Sequence, residues 1–122
     1  MAIKGVTVVS VPVSDPERAR KFYVDKLGME VRLDDSSITG MRWLLVGPED
    51  GATALALVTW FDSMPAGSLQ GLVLSSSDIR ADYETFRKRG VAFPGPPKEQ
   101  PWGRTETVLR DPDGNSIVLQ QE

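Results

Sequence analysis

The most constraining feature of this 122-residue chain is that its two halves repeat one pattern. In the first half, a β-branched run leads to Asp15, and a helix-like stretch then ends at Gly28. In the second half, an apolar run leads to Asp78, and a similar stretch ends at Gly90. Two copies of one supersecondary unit explain such a repeat better than a solenoid, which needs three or more units.

Each half is predicted to form a βαβββ module. An apolar or β-branched run supplies the first strand, and Asp15 and Asp78 cap the helices that follow. Pro16 suits the first helical position, where its missing N–H has no intrahelical role. Turns at residues 48–51 and 111–114 join later strands. The predicted strands are 6–13, 29–33, 39–47 and 52–60 in the first module, and 71–76, 91–93, 104–110 and 115–120 in the second.

These elements predict a single domain over residues 1–122. The first module occupies residues 1–60, a linker occupies 61–69, and the second module occupies 70–122. A chain of this length buries about two-thirds of its unfolded surface on folding, so it needs no disulfide or metal to stabilise it. The linker is long enough for the modules to pair within one chain or to be exchanged between two, and both arrangements stay open.

Composition excludes several classes of function. The chain has no cysteine, which removes thiol catalysis, and no histidine, which removes a Ser-His-Asp nucleophile. Its net charge is −3 and its basic residues are scattered, so nucleic-acid binding has no electrostatic support. Neither a membrane span nor a signal peptide is recognised, which predicts a cytoplasmic protein. The expected partners are a small molecule and a second copy of the chain.

Three motifs occur in order along the chain and together carry a family resemblance. The sequence Val-Ser-Asp at 13–15 opens a helix that holds Phe-Tyr at 22–23 and ends with Lys-Leu-Gly at 26–28. Trp-Gly at 102–103 and Asp-Pro-Asp-Gly-Asn at 111–115 follow. The chain resembles the vicinal oxygen chelate superfamily of glyoxalases, bleomycin-resistance proteins and extradiol dioxygenases. The resemblance implies an α+β fold in which two βαβββ modules form an open, curled mixed sheet around a cavity, usually as a homodimer.

The resemblance also implies where a metal site would lie. Metal-dependent members place histidine and carboxylate ligands on the module strands. The matching positions in this chain are Val8, Ala56, Gly71 and Val118. None of these side chains can bind a metal. Because all four positions lack a ligand, no part of the metal site remains. We therefore predict no metal and no cofactor.

Alternation along the strands, started from these four positions, predicts which residues line the cavity. The result is an apolar and aromatic lining suited to a flat ligand. Trp43 and Trp60 have an alternative role, since they can instead fill the cavity as core side chains. The predicted ligand-binding residues are Ser10, Met41, Trp43, Ala56, Trp60, Gly71, Trp102, Thr107 and Val118.

Charged residues near this lining are assigned other roles. Alternation places Arg104 and Glu106 on the strand face opposite Thr105 and Thr107, which favours a surface or dimer-contact role for both. The acidic sequence at 111–114 is interpreted as the turn of a β-hairpin rather than as a metal site.

The leading hypothesis is metal-independent binding of a small aromatic or peptide-like molecule in a homodimer groove, as in the antibiotic-sequestering proteins that the chain resembles. One alternative is a metal-independent lyase, isomerase or cyclase that uses Glu106, Asp62 or Tyr23 as a general acid or base. A weaker alternative is a dimerisation module without a ligand.

Overall fold

The sequence repeat appears in the structure as two successive βαβββ units. The computed structural model describes all 122 residues, which divide into the units Met1–Ala66 and Gly67–Glu122. The division falls inside the predicted linker at residues 61–69. Each unit holds a four-stranded sheet with parallel and antiparallel pairs, together with one helical segment. The predicted α+β class with two βαβββ modules is confirmed.

The first unit contains β1 Val8–Pro12, α1 Pro16–Lys21, a π-helical turn Phe22–Lys26, β2 Glu30–Ile38, β3 Met41–Gly47 and β4 Ala54–Val58. The strands form a sheet in the order β1-β4-β3-β2. Strand β1 pairs with β4 in parallel, and β3 pairs with both β4 and β2 in antiparallel register. The predicted turn at 48–51 is present, since the Gly51 N–H donates to the Pro48 carbonyl at 3.2 Å.

The second unit contains β5 Leu72–Ser76, α2 Ile79–Lys88, β6 Lys98–Glu99, β7 Thr105–Arg110 and β8 Ser116–Gln121. The strands form a sheet in the order β5-β8-β7-β6. The strand predicted at residues 91–93 is wrong, because that segment has no strand pairing and β6 begins only after the proline-rich stretch. Prolines lack the N–H that a sheet ladder needs, which delays and shortens this strand.

Local sequence chemistry explains where the first helix begins and ends. The Asp15 carboxylate accepts the backbone N–H of Glu17 at 3.0 Å and of Arg18 at 3.3 Å, and Pro16 follows as the first helical residue. The π-helical turn closes the segment, and Gly28 then takes a φ of 78°. This left-handed conformation is readily available to glycine, so the sequence ends the helix where predicted.

One face of each sheet is covered by the helix of its own unit. In the first unit, Arg42 of β3 pairs with Glu17 of α1 at 2.6 Å, which places α1 on the face of Arg42 and Leu44. In the second unit, the Ser76 hydroxyl donates to Asp82 of α2 at 2.6 Å, and Ser76 is paired with Gln121. The helix-covered faces hold these fully buried side chains: Val11, Leu44, Val46, Leu57, Leu109 and Ile117.

The β7–β8 hairpin has a shorter loop than the sequence predicts. The Gly114 N–H donates to the Asp111 carbonyl at 3.0 Å, and the Asp111 N–H donates to the Asn115 carbonyl at 3.1 Å. Only residues 112–114 therefore lie outside the pairing, with Gly114 at a φ of 94°. A turn that ends in a left-handed glycine is a standard three-residue hairpin loop. The resulting register pairs Arg110 with Ser116 and Val108 with Val118.

An ion-pair cluster joins α1 to the β2–β3 hairpin. Arg42 donates to both oxygens of Asp34 at 2.9 and 2.8 Å and also contacts Glu17. Hydrogen bonds from Arg42 lower the pKa of Asp34 and, with a further contribution from Arg20, that of Glu17. A carboxyl whose pKa is lowered by folding adds stability above its ordinary pKa, and that stability is lost as the pH falls through the folded value.

Arg42→Met is expected to raise the pKa of Asp34 toward its ordinary value, because the guanidinium donors are lost while the side chain keeps its length. The pKa of Glu17 should rise less, since Arg20 still donates to it at 3.2 Å. Carboxyl-detected NMR titration of both residues measures the change. Asp35 is the control because hydrogen bonds from Ser37 lower its pKa, and an equal rise of the Asp35 pKa would contradict a local effect.

Candidate ligand-binding site

The first sheet has an apolar face on the side away from α1. Strand pairing aligns Ser10 and Leu45 with Ala56, and it aligns Trp43 with Asp35. These residues alternate with the helix-covered ones, so they share the opposite face. We call this surface, defined by Ser10, Trp43, Leu45 and Ala56, the tryptophan face. Three of the predicted site residues, Ser10, Trp43 and Ala56, therefore lie on one face of the first sheet.

Aromatic rings gather at the end of the tryptophan face. The ring centroids of Trp43 and Trp60 lie 5.6 Å apart at 32°, and those of Trp60 and Phe61 lie 6.0 Å apart at 47°. Both tryptophans are half-buried, and Phe61 is 43% exposed. The rings therefore pack on each other and also keep accessible surface. Phe61 was missed in the sequence analysis, although its position directly after Trp60 was a signal for it.

A concavity of about 310 Å³ opens beside Trp43. Met41 and Trp43, both predicted site residues, line it together with three residues that the sequence analysis did not assign to the site: Asp35, Ser37 and Ile38. The Asp35 carboxylate accepts the Ser37 backbone N–H at 2.9 Å. That bond, with a contribution from the Ser37 side chain, lowers the pKa of Asp35. The concavity thus combines an aromatic ring with a carboxylate that is charged at neutral pH.

The second sheet also has a face away from its helix, and two rows of side chains cross it. One row is apolar, because Val118 is paired with Val73 on one side and with Val108 on the other. The adjacent row is polar, and it runs from Ser75 through Gln120 and Glu106 to Lys98. We call this surface, defined by both rows, the valine face.

Thr107 lies on the other face, which corrects the predicted site. It is paired with Leu119, it is 7% exposed, and its hydroxyl donates to the Gly95 carbonyl at 2.9 Å. The prediction that Thr107 lines the cavity together with Val118 is wrong, because the three-residue hairpin loop shifts the register by one residue. Glu106, assigned from the sequence to the opposite face, is therefore on the valine face beside Val118.

The remaining predicted residues of the second unit lie outside regular strands. Gly71 immediately precedes β5, is exposed and has a φ of 84°. Trp102 is 65% exposed in a tight turn, which the Gly103 N–H closes by donating to the Gln100 carbonyl at 2.9 Å. An indole with this exposure is available for contact with a ligand or a partner.

The positions that the resemblance assigns to metal ligands carry no donor side chains. In the first sheet, Val8 and Ala56 stand at two of them, and Val118 stands at a third in the middle of the valine row. No group of three or more acidic side chains is placed to hold a metal ion. Neither α1 nor α2 has the length and apolar character that a membrane-spanning helix requires.

Comparison with known proteins identifies the family. Residues 5–119 match the model of the Glyoxalase/Bleomycin resistance protein/Dioxygenase superfamily. The chain belongs to this superfamily. That membership confirms the family resemblance seen in the sequence motifs.

Two solved structures and one curated protein illustrate what the chain is similar to. TnmS3, an antibiotic binding protein from Streptomyces sp. CB03234, is 47% identical with a TM-score of 0.92, and the match covers 99% of this chain and 98% of that one. A superfamily member from Sphaerobacter thermophilus DSM 20745 is 37% identical with a TM-score of 0.93, over 100% of both chains. The uncharacterized protein YetH of Bacillus subtilis (strain 168) is 33% identical over 98% of this chain and 99% of YetH.

Proposed function

We propose that this protein binds a small aromatic or peptide-like molecule without a metal ion, and that it does so in a groove completed by a second copy of the chain. The observation that carries the proposal is the aromatic cluster of Trp43, Trp60 and Phe61 beside the 310 Å³ concavity. Flat, partly exposed rings next to a concave apolar surface are typical of sites for planar ligands.

Two further points support the proposal. Similarity to TnmS3, described as an antibiotic binding protein, extends over 99% of this chain. Antibiotic sequestration is therefore the form of binding that we propose. For the homodimer, the support is the edge strand β2, which exposes Val31 and Leu33 at the border of its sheet. Apolar side chains on an unpaired edge favour coverage by another chain.

The test is thermal unfolding followed by tryptophan fluorescence, with a panel of aromatic and glycopeptide antibiotics that includes bleomycin. A ligand present at about a hundred times its Kd, and bound only by the native state, should add about 2.7 kcal/mol of stability. Divalent metals form a separate arm of the experiment. Stabilisation by an antibiotic, with the compound recovered unchanged, would support sequestration. No stabilisation by any compound of the panel, or stabilisation by a metal alone, would contradict the proposal.

Trp43→Ala is expected to weaken binding of any antibiotic found in this way by about tenfold, because the largest flat surface of the concavity is lost. Trp43→Phe is the matched variant, since it keeps a ring at the same position and should lose less affinity. Fluorescence titration of the remaining tryptophans measures both values. Equal affinity of the alanine variant and the unmodified protein would place the ligand elsewhere.

A second candidate function is a metal-independent lyase, isomerase or cyclase, and the position of Glu106 favours it. Of the three groups proposed as general acid or base, Tyr23 is fully buried and Asp62 is exposed on the segment after β4. Glu106 is half-buried on the valine face. Mass spectrometry of a bound compound after incubation tests this function. Conversion of the compound that Glu106→Gln abolishes without loss of binding would favour catalysis over sequestration.

A further inference from the structure

We infer that the valine face is a specificity subsite, where the Glu106 carboxylate accepts a hydrogen bond from a hydroxyl or ammonium group of the ligand. The inference deepens the proposed function and rests on it, because it names the chemical class of molecule that the protein selects. Its basis is the arrangement of the two side-chain rows on one sheet, together with the hydrogen bonding of Glu106.

Within the polar row, Glu106 forms a hydrogen bond with only one of its two neighbours. Gln120, directly opposite on β8, donates its amide Nε2 to the Glu106 Oε2 at 3.0 Å. On the other side, Lys98 is paired with Glu106 across β6 and β7 but forms no ion pair with it. The carboxylate is therefore oriented by one amide, and its other oxygen has no protein donor. A half-buried carboxylate with unused acceptor capacity favours an incoming donor.

The valine row provides an apolar surface directly beside this acceptor. Val73 is 47% exposed, and Val108 and Val118 are half-buried. Neighbouring rows on one face of a strand are two residues apart, so an aromatic ring on the valines is within reach of Glu106 when it carries a short donor group. The subsite thus matches a ring that bears a hydroxymethyl or aminomethyl group.

Charge makes the subsite selective. An ionised carboxylate only accepts hydrogen bonds, so it favours alcohols and amines. A carboxylic acid placed at Glu106 itself brings a like charge to the same place, whereas Lys98 at the end of the polar row carries the opposite charge. A site built around one hydrogen bond also discriminates against analogues that lack the donor.

The test uses four naphthalenes that differ in one substituent: 1-naphthylmethylamine, 1-naphthalenemethanol, 1-methylnaphthalene and 1-naphthoic acid. Valine methyl NMR locates binding at Val73, Val108 and Val118, and titration gives each Kd. We expect the amine and the alcohol to bind at least tenfold more tightly than 1-methylnaphthalene, which lacks the donor group. Glu106→Gln should reduce this preference at least fivefold. The variant should fold normally, because the side-chain amide oxygen at position 106 still accepts the hydrogen bond from Gln120.

Glu99→Gln is the matched control, because it removes the same charge from a neighbouring position paired with Thr105 on the other face. It should leave the preference unchanged. Equal affinities across the four compounds, or fluorescence changes of Trp43 and Trp60 without valine methyl shifts, would overturn the inference while leaving the proposed function intact. If neither the tryptophan fluorescence nor the valine methyl signals change, the inference is also overturned. The proposed function is decided by the antibiotic panel alone.

Discussion

Gly67→Ala is expected to destabilise the protein by about 3 kcal/mol or more, through backbone strain and overpacking together. Gly67 has a φ of 84°, a conformation that costs an alanine about 1–2 kcal/mol. In addition, an added Cβ would overlap the backbone carbonyl oxygen of Asp113, which belongs to the β7–β8 hairpin loop. A backbone atom has no rotamer by which to move away. Chemical denaturation measures the loss of unfolding free energy.

Gly71→Ala separates the two causes. Gly71 has the same φ of 84°, but a Cβ added there has no other atom within 4 Å. This variant should therefore show the conformational cost alone, about 1–2 kcal/mol. Equal destabilisation by the two variants would show that the loop moves freely and that the contact between residue 67 and the Asp113 carbonyl contributes nothing.

Asp111→Asn is expected to destabilise the protein by about 2 kcal/mol, because it turns a buried hydrogen bond into a contact between two donors. The Asp111 Oδ2 accepts the Asn115 side-chain N–H at 2.7 Å, and its Oδ1 accepts the backbone N–H groups of Asp113 and Asn115 at 3.0 and 2.9 Å. Asn115 is fully buried, and its own Oδ1 accepts the Leu69 N–H at 3.0 Å. Thermal and chemical unfolding measure the effect.

The double variant Asp111→Asn with Asn115→Asp should recover most of this loss. The donor and the acceptor then exchange places, and a carboxylate at 115 still accepts the Leu69 N–H. A coupling free energy near zero in this double-mutant cycle would show that the side-chain hydrogen bond is not a source of hairpin stability.

Features governed by local chemistry could be predicted from the sequence. The helix starts at Asp15 and Asp78 follow from the capping side chains, and both carboxylates accept backbone N–H groups of the first turn. The end of the first helical segment follows from Gly28, which takes the left-handed conformation. The grouping of Trp43, Leu45 and Ala56 on one face follows from strand alternation, which needs only a correct hairpin register.

Features that depend on a one-residue shift in the pairing of two strands could not be predicted. The Asp-Pro-Asp-Gly sequence is compatible with loops of three or four residues, and only the backbone pairing of Asp111 with Asn115 distinguishes them. That difference exchanges Thr107 for Glu106 on the valine face. The register shift in β2 between Asp35 and Ile38 has a similar effect, because a strand irregularity places Ile38 beside Trp43 at the concavity.

The register of the β7–β8 hairpin also fixes which side chains reach the valine face. A slip of this register by one residue would turn β7 over, so that Leu109 would leave the core and the Glu106 carboxylate would enter it. Both changes are strongly unfavourable, so core packing maintains the register whether or not a ligand is ever bound. The position of Glu106 is thus protected by the packing beneath it, while its chemical identity stays free to change by point mutation. Descendants of this chain can acquire new ligand preferences without rebuilding the fold.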